Sequence, residues 1–335
     1  MILFTRVEAR DFHALFARCM SGRPRGPAPP IVIRFVRGTR TLTCTTGDGV
    51  MLVHTVASDE CDDLLVLPGS ILVEVEGTSD EGVKLERLSK LRGAIHWYGG
   101  SKPCKLPVEL LLPGKQHEVA ALPPLTSVSA KLLPALHECG RSAARDSGRF
   151  ALSKVQLQGR AGRVISTDGK VALLYNGFKF GFTDDFLVPA LTVFGAKPLS
   201  RVTEVKIGRT ETHLVNVAGP WSVWLPIETK SRYPDVAGVI PKHSPTTVEI
   251  DKQDAVELLK VLPTLPDNDT ENRPITVDAN GSVKIAGRDP NSSAIKEITL
   301  LRSRTTGSAA CTTLDRRFLA RALSLGCRRL KLTPG

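Results

Sequence analysis

A short turn sequence containing an Asp occurs three times in this chain at nearly equal spacing. Asp48, Asp168 and Asp289 lie 120 and then 121 residues apart. A repeat this long has the size of a domain, so it predicts three tandem copies of one domain and not a solenoid of short units. The three neighbourhoods are Thr45-Thr46-Gly47-Asp48-Gly49, Ser166-Thr167-Asp168-Gly169 and Ala286-Gly287-Arg288-Asp289-Pro290.

The apolar pattern predicts two helices and several mostly antiparallel strands in each copy, which makes the fold class α+β. Asp251 and Thr313 are expected N-caps of the two helices of the third copy, and Gly326 is the expected residue after the second of them. The predicted helices cover 7–20, 66–75, 128–139, 184–194, 252–262 and 313–325.

Three domains follow from the repeat, with boundaries at 1–115, 116–242 and 243–335. After the strand expected at 328–332 the third copy stops where the second copy still has a strand to come. We therefore expect the third copy to lack its last strand, either because the chain is truncated or because this hairpin is missing by nature.

Composition points to a polyanionic partner. The 335 residues are 41% hydrophobic, enough to bury real cores, and carry a net charge of +11. No apolar run is long enough to span a membrane, so nucleic acid is favoured over a lipid surface. Seven scattered cysteines without a C-x-x-C pair predict buried free thiols in a reducing cytoplasm and no zinc site.

The sequence offers no sign of catalysis. It has no H-x-x-x-H or H-E-x-x-H pattern and no G-x-S-x-G elbow. The stretch 162–170 is similar to a phosphate-binding loop, but six residues separate its glycines and Val171 stands where Ser or Thr is needed. The repeated Asp residues would lie far apart in separate domains, so they cannot form a metal triad. We predict a non-enzyme without cofactor or metal.

The second copy resembles a known family. Arg149-Phe150-Ala151-Leu152, Val164 to Gly169, Tyr233-Pro234-Asp235 and Val239-Ile240-Pro241 are similar to motifs of the bacterial DNA polymerase III sliding clamp, the β subunit. The resemblance implies three clamp domains per chain and two chains closed head to tail into a ring around duplex DNA. It also implies DNA replication as the process, with DNA polymerase and clamp loader as partners in the cytoplasm, at the nucleoid.

A clamp must hold the DNA backbone without reading bases, which requires Lys and Arg spread over its inner surface. Each of these cations could also be part of an ordinary solvated helix face, Gly22-Arg23-Pro24 could be a plain turn, and Arg149 could be structural. The expected DNA-binding residues are Arg10, Arg18, Arg23, Arg25, Lys131, Arg141, Arg145, Arg149, Lys252, Arg316, Arg317 and Arg321.

The resemblance further implies a groove for short linear peptides of partner proteins. Lys170-Val171-Ala172-Leu173 departs from the family pattern, which leaves either Ala172 or Leu173 as the leucine position of the groove. Ordinary core packing is an equal explanation for Leu152 and Val239. The expected groove residues are Leu152, Thr167, Gly169, Lys170, Ala172, Leu173, Pro234 and Val239.

Ring closure in the family joins the first domain of one chain to the third domain of the other. The matching positions here are Ile71 and Leu72 against Leu262 and Leu265, together with the strand edge at 295–301. The leading hypothesis is therefore a DNA sliding clamp that tethers polymerases as a homodimer. The alternative is a basic DNA-binding or adaptor protein with the clamp fold and no closed ring.

Overall fold

Three sets of sheets and helices follow one another along the chain, as the repeat predicts. The computed structural model describes residues 1–20, 27–114, 121–145, 150–267, 269, 271–289, 291 and 295–332. The chain divides into two compact units, Met1–Pro234 and Asp235–Gly335. The first unit contains the first and second copies, and the second contains the third copy.

In the first copy, helix α1 begins with a capping box: Thr5 Oγ1 accepts from Glu8 N, and the Glu8 carboxylate accepts from Thr5 N. Its Phe12, Leu15 and Cys19 are buried. The elements are β1 Ile2–Thr5, α1 Arg6–Cys19, β2 Ile31–Val36, β3 Thr39–Thr45, β4 Met51–Ala57, β5 Asp63–Leu67, α2 Ile71–Val75, β6 Gly82–Arg87, β7 Arg92–Gly99 and β8 Lys102–Glu109.

The second copy repeats this order with a shorter second helix. Two 3-10 helices, Phe150–Ser153 and Val193–Gly195, stand beside its regular elements. The elements are β9 Leu125–Val128, α3 Leu132–Ser142, β10 Lys154–Gln158, β11 Arg163–Thr167, β12 Ala172–Tyr175, β13 Asp185–Pro189, α4 Lys197–Ser200, β14 Val205–Arg209, β15 His213–Ala218 and β16 Trp221–Pro226.

In the described part of the third copy, one strand follows the second helix, whereas three strands do so in each of the other copies. A 3-10 helix covers Leu262–Thr264. The elements are β17 Thr246–Glu249, α5 Lys252–Val261, β18 Pro274–Asn280, β19 Ser282–Arg288, β20 Ile295–Thr299, β21 Arg304–Gly307, β22 Ala310–Asp315, α6 Arg316–Ser324 and β23 Arg329–Leu332.

The sheet orders show the equivalence of the copies. One sheet of each copy has the order β5-β2-β3-β4, β13-β10-β11-β12 or β22-β18-β19-β20. The other sheet is β1-β6-β7-β8 in the first copy, β9-β14-β15-β16 in the second and β21-β17-β23 in the third. Strands β4, β12 and β20 therefore hold the same place in the domain. The predicted fold class is confirmed; the exact domain boundaries stay a prediction.

The three Asp turns hold equivalent places, between the second and third strands of corresponding sheets. Asp48 follows β3, Asp168 follows β11 and Asp289 follows β19. Asp48 accepts the Thr46 hydroxyl, Asp168 accepts the amides of Lys170 and Val171 at 2.8 Å each, and Asp289 accepts the amide of Asn291 at 2.8 Å. Each Asp side chain therefore stabilises its own turn, which is what the type of residue favours.

The first two copies are joined by a continuous eight-stranded sheet, because β4 pairs antiparallel with β16. Trp221 lies opposite His54 in this pairing, and their ring centroids are 4.1 Å apart. His54 is buried beside a carboxylate–guanidinium pair: Arg40 Nη2 lies 2.5 Å and His54 Nδ1 4.0 Å from Glu8 Oε1. Burial lowers the pKa of His54 to about 4, so its imidazole is neutral near pH 7.

Several local predictions were wrong. The helix expected at 184–194 is strand β13 followed by a 3-10 helix. Thr313 lies in β22, and Asp315 caps α6 by accepting the amide of Arg317. Gly326 does follow that helix, with φ +81°. All seven cysteines are free, but Cys61, Cys311 and Cys327 are exposed, contrary to the expectation of buried thiols.

Candidate nucleic-acid interface and docking surface

The helices of the first unit present several of the expected cations to solvent. Arg18 is exposed in the last turn of α1, and Lys131 is exposed immediately before α3. Arg10 pairs with the neighbouring Asp11 at 2.9 Å, and Arg141 lies 3.7 Å from Glu138, one helical turn away. Such exposed pairs hold a side chain weakly, so a phosphate can compete for it.

The third copy presents a smaller set of cations. Lys252 is exposed in the first turn of α5. Arg317 is exposed and tied to the Asp315 carboxylate at 2.5 Å, which lowers its availability compared with a free cation. Arg321 is half-buried in the last turn of α6.

Arg316 was predicted wrongly as a DNA contact. At 4% exposure it is buried, and it forms an ion pair with Asp267 at 3.2 Å. At 100° per residue Arg316 lies about 20° from Leu323 on the helical wheel, which is the core face. It stabilises the segment that follows α5 by donating to the carbonyl oxygens of Leu262, Leu265, Pro266 and Arg273.

Three expected DNA contacts, Arg23, Arg25 and Arg149, lie outside the described residues. Arg145 is exposed after the end of α3. The cluster expected around the start of the second copy is therefore described only through Arg141 and Arg145.

The central Asp turn brings together three of the expected groove residues. Gly169 has φ +92°, a conformation that favours glycine, and a Cβ placed there would lie 3.9 Å from Leu152 Cδ1. Thr167 Oγ1 donates to the carbonyl of Val171 at 2.7 Å and accepts the amide of Gly169 at 3.0 Å. Leu152 and Thr167 are both buried, so the surface beside them is formed mainly by Gly169.

Tyr233 holds this turn in place. The residue belongs to the Tyr-Pro-Asp motif, but the motif does not indicate this role. Its hydroxyl oxygen accepts the amide of Thr167 at 3.1 Å and lies 3.5 Å from the carbonyl oxygen of Lys154. Burial raises the pKa of the Tyr233 phenol to about 12, so it stays protonated. Two strands, β10 and β11, are thereby tied to the Tyr-Pro-Asp segment.

The remaining groove residues lie at the surface. Lys170, Ala172 and Pro234 are exposed, and Leu173 is half-buried. Val239 belongs to the second compact unit, where 77% of its surface is exposed. An exposed valine is not a core residue, which removes core packing as the explanation for Val239.

The four apolar residues expected at the ring interface are core residues of a single chain. Ile71, Leu72, Leu262 and Leu265 are 1–3% exposed without any second chain. That prediction was wrong, because α2 and the 3-10 helix after α5, together with Leu265 at the end of that 3-10 helix, turn these side chains inward. The edge strand β20 is a different case, since Ile295 is 55% exposed.

In the described part of the chain, no group of three His, Cys, Asp or Glu side chains could hold a metal ion. Among these residues no helix is long and apolar enough to cross a membrane.

Solved structures that are similar to this chain are bacterial sliding clamps. The DNA polymerase III subunit beta from Borrelia burgdorferi, in complex with a natural product, matches with a TM-score of 0.78 at 12% identity, covering 100% of this chain and 92% of that one. The subunit from Pseudomonas aeruginosa matches at 0.75 and 17%, covering 98% and 91%. The subunit from Thermotoga maritima matches at 0.73 and 16%, covering 96% and 89%.

The chain has the fold of a bacterial sliding clamp. No protein-family model matches it, and no curated protein matches it. The clamp fold is thus kept over the whole chain while the amino-acid sequence differs from the solved clamps at more than four positions in five.

Proposed function

We propose that this chain is a DNA sliding clamp, a non-enzymatic processivity factor that encircles duplex DNA and tethers replication and repair proteins to it. The observation that carries the proposal is the clamp fold over 96–100% of the chain. Closure around DNA replaces tight binding, so a tethered polymerase works at a high effective concentration. Its place of action would then be the cytoplasmic nucleoid.

Charge supports this proposal. The chain carries +11, and exposed Lys and Arg side chains are spread over helices of all three copies. Spread cations bind the phosphate backbone without reading bases, which a sliding protein requires. The proposed contacts among the described residues are Arg10, Arg18, Lys131, Arg141, Arg145, Lys252, Arg317 and Arg321.

The repeat suggests how two chains would close a ring. Inside one chain, β4 of the first copy pairs with β16, the last strand of the second copy. The first copy ends in β8, which has the place of β16 and stands at the edge of its sheet, and β20 has the place of β4 at another edge. We therefore expect β8 of one chain to pair antiparallel with β20 of a second chain, twice per ring.

Light scattering coupled to size exclusion tests the ring. A dimer of twice 36.2 kDa is expected, and closed circular DNA should retain it while the same DNA, once linearised, releases it. A monomer at every concentration would instead favour the adaptor protein without a closed ring. Retention that is equal on circular and linear DNA would contradict encirclement even for a dimer.

The salt dependence of DNA binding tests the proposed contacts. Lys131→Ala and Lys252→Ala should each reduce the slope of log affinity against log salt by about one, because each removes one phosphate contact. Lys84→Ala, which removes an exposed cation from strand β6, is the matched control and should leave the slope unchanged. An unchanged slope in both helix variants would remove these residues from the interface.

For partner docking we propose the surface of the first unit beside Gly169, with Leu152 and Thr167 beneath it and Lys170, Ala172, Leu173 and Pro234 as its other residues. Val239, in the second unit, is proposed separately as a peptide contact. An extended peptide with Leu and Phe anchors suits an apolar surface next to a tight turn. Val239→Ala should weaken binding of such a synthetic peptide several-fold. Val73→Ala, another exposed valine, is the control and should not.

A further inference from the structure

A cavity of about 470 Å³ lies in the second copy, between helix α3 and the segment 194–203 that contains most of α4. Its walls are mainly apolar, and two exposed cations, Lys131 and Arg201, also line it. Pockets that bury small organic ligands have volumes of roughly 300 to 1,000 Å³, so this cavity is large enough for one. The apolar side chains of its walls are Leu133, Pro134, Phe194, Leu199 and Val202.

The internal repeat shows which position of the first copy corresponds to the cavity. Strands β6 and β14 hold the same place in the domain, and both contain the pattern Val-Lys-X-X-Arg. The valine of this pattern pairs with Phe4 of β1 in the first copy and with Val128 of β9 in the second. Two residues further along the chain stand Arg6 and Ala130, which are therefore equivalent.

In the first copy, Arg6 fills the space between the start of the first helix and the segment that contains the second. Its guanidinium group donates to three carbonyl oxygens, those of Val75 at 3.1 Å, Glu76 at 3.0 Å and Tyr98 at 2.8 Å. Ala130 has no side chain beyond Cβ, and it lines the cavity of the second copy. The cavity is therefore explained by the loss of one long side chain at an equivalent position.

The residues around the cavity indicate the chemistry of its ligand. The apolar walls favour a hydrocarbon body, because a polar group placed against them would lose its hydrogen bonds to water. Lys131 and Arg201 favour a negatively charged group at one end of that body. Glu138 also lines the cavity, but its carboxylate lies 3.7 Å from the guanidinium group of Arg141, which offsets its charge.

We propose that this cavity binds one small amphipathic carboxylic acid per chain. The carboxylate lies against Lys131 and Arg201, and the hydrocarbon chain lies along the apolar walls. This site shares Lys131 with the proposed DNA contacts and no residue with the proposed surface beside Gly169. All its residues belong to the first compact unit, and the proposal does not rest on the clamp function.

Calorimetric titration of the full-length protein with octanoate tests the site directly. We expect saturable binding of one octanoate per chain. Two control ligands separate the two parts of the proposed chemistry: acetate lacks the hydrocarbon chain, and octylammonium has the opposite charge. Each should bind at least about tenfold more weakly than octanoate. The measurement contains no DNA, so its outcome is independent of whether the protein encircles DNA.

Three variants locate the bound octanoate. Ala130→Trp places a bulky side chain at a half-buried position of the lining and should abolish binding. Arg201→Gln removes one cation at an exposed position, so the fold should persist while octanoate binds several-fold more weakly. Arg160→Gln removes an exposed arginine of the same unit outside the lining of the cavity, and as the matched control it should bind octanoate like the unchanged protein.

Three results would overturn the site. The first is a failure of octanoate to bind at any concentration below that at which it forms micelles. The second is binding of acetate or octylammonium that is as tight as that of octanoate. The third is unchanged octanoate binding in Arg201→Gln and in folded Ala130→Trp, which would place the ligand elsewhere. Because Arg201 is exposed, its variant alone decides the matter if Ala130→Trp does not fold.

Discussion

Strands β4 and β12 are the same strand in two copies of one domain, yet one is central and the other ends its sheet. Around β4, neighbouring strands on both sides bury Leu52, Val53 and His54. On β12, which has one neighbouring strand in the part of the chain that the structure describes, Ala172 is exposed and the other three residues are half-buried. The difference shows that the junction between copies, and not the domain fold, decides how much of this strand is buried.

The two strands also differ in the side chains that surround them. At the β4 junction the buried Arg40 guanidinium and His54 imidazole meet the half-buried Glu8 carboxylate, and His54 also contacts Trp221. This arrangement is costly to disturb because removing one partner of the ion pair leaves the other charge uncompensated. Near β12 the exposed Asp168 carboxylate bonds to amides of its turn, and the contacts on the inner side are neutral: the hydroxyl groups of Thr167 and Tyr233 bond to backbone groups. We therefore expect substitutions at the first region to cost more stability than those at the second.

The largest effect is expected for Trp221→Ala. Trp221 is 6% exposed and contacts the rings of His54 and, at a centroid distance of 6.1 Å, Phe12. Deleting a buried indole should lower the free energy of unfolding by about 3 to 5 kcal/mol. The measurement is urea denaturation followed by circular dichroism. Tyr98→Ala, at an aromatic residue that is 50% exposed, is the control. Similar losses of unfolding free energy in the two variants would show that the junction does not depend on Trp221.

The junction should also make the free energy of unfolding depend on pH, through His54. The pKa of His54 is about 4 in the folded protein against an ordinary value of 6.5, so between these values the unfolded chain binds the extra proton. The free energy of unfolding should therefore fall as pH decreases from about 6.5 to about 4, by up to about 3 kcal/mol.

The variant His54→Gln should remove most of this slope, whatever its effect on stability at pH 7. Glu8, Asp11 and Arg40 face the same imidazole and remain in the variant, so the difference between the two slopes reports His54. Identical slopes in the two proteins would mean that the imidazole is not held neutral at the junction.

The sequence predicts those parts of the fold that depend on neighbouring residues. Helices α1 and α5 are predictable from sequence because a cap residue, Thr5 or Asp251, stands before several turns of 3.6-residue periodicity. The prediction of a helix at 184–194 is wrong because the apolar residues of β13 also fit a helical period. Pro189 inside that range was the signal against a helix.

For the candidate site the same limit applies. Cations on helix surfaces were predictable from the wheel, but Arg316 is held by carbonyl groups of a segment about fifty residues earlier, which no local pattern contains. Which edge of which strand is covered depends on pairing between β4 and β16, more than 160 residues apart. Edge pairing is therefore visible only in the structure.

A moderate effect is expected for Tyr233→Phe on the β12 side. The change removes the hydroxyl that accepts the buried amide of Thr167 and keeps the ring. An unsatisfied amide should cost about 1 to 2 kcal/mol of unfolding free energy. Hydrogen exchange should then quicken at Thr167 more than at Thr46, the corresponding part of the first turn. Equal changes at both turns would mean that Tyr233 acts on the whole unit and not on this turn.

The smallest effect is expected for Ala172→Lys, which tests how exposed the start of β12 is. The residue is exposed and, among the described residues, pairs with a strand on one side, so the free energy of unfolding should change by less than about 0.5 kcal/mol. At Val53, which is buried against Val215 and Trp224 on the covered strand, the same lysine would bury a charge and cost several times more. Comparable losses at both positions in urea denaturation would show that β12 is covered as β4 is, and the contrast between the two strands would then be a matter of sequence alone.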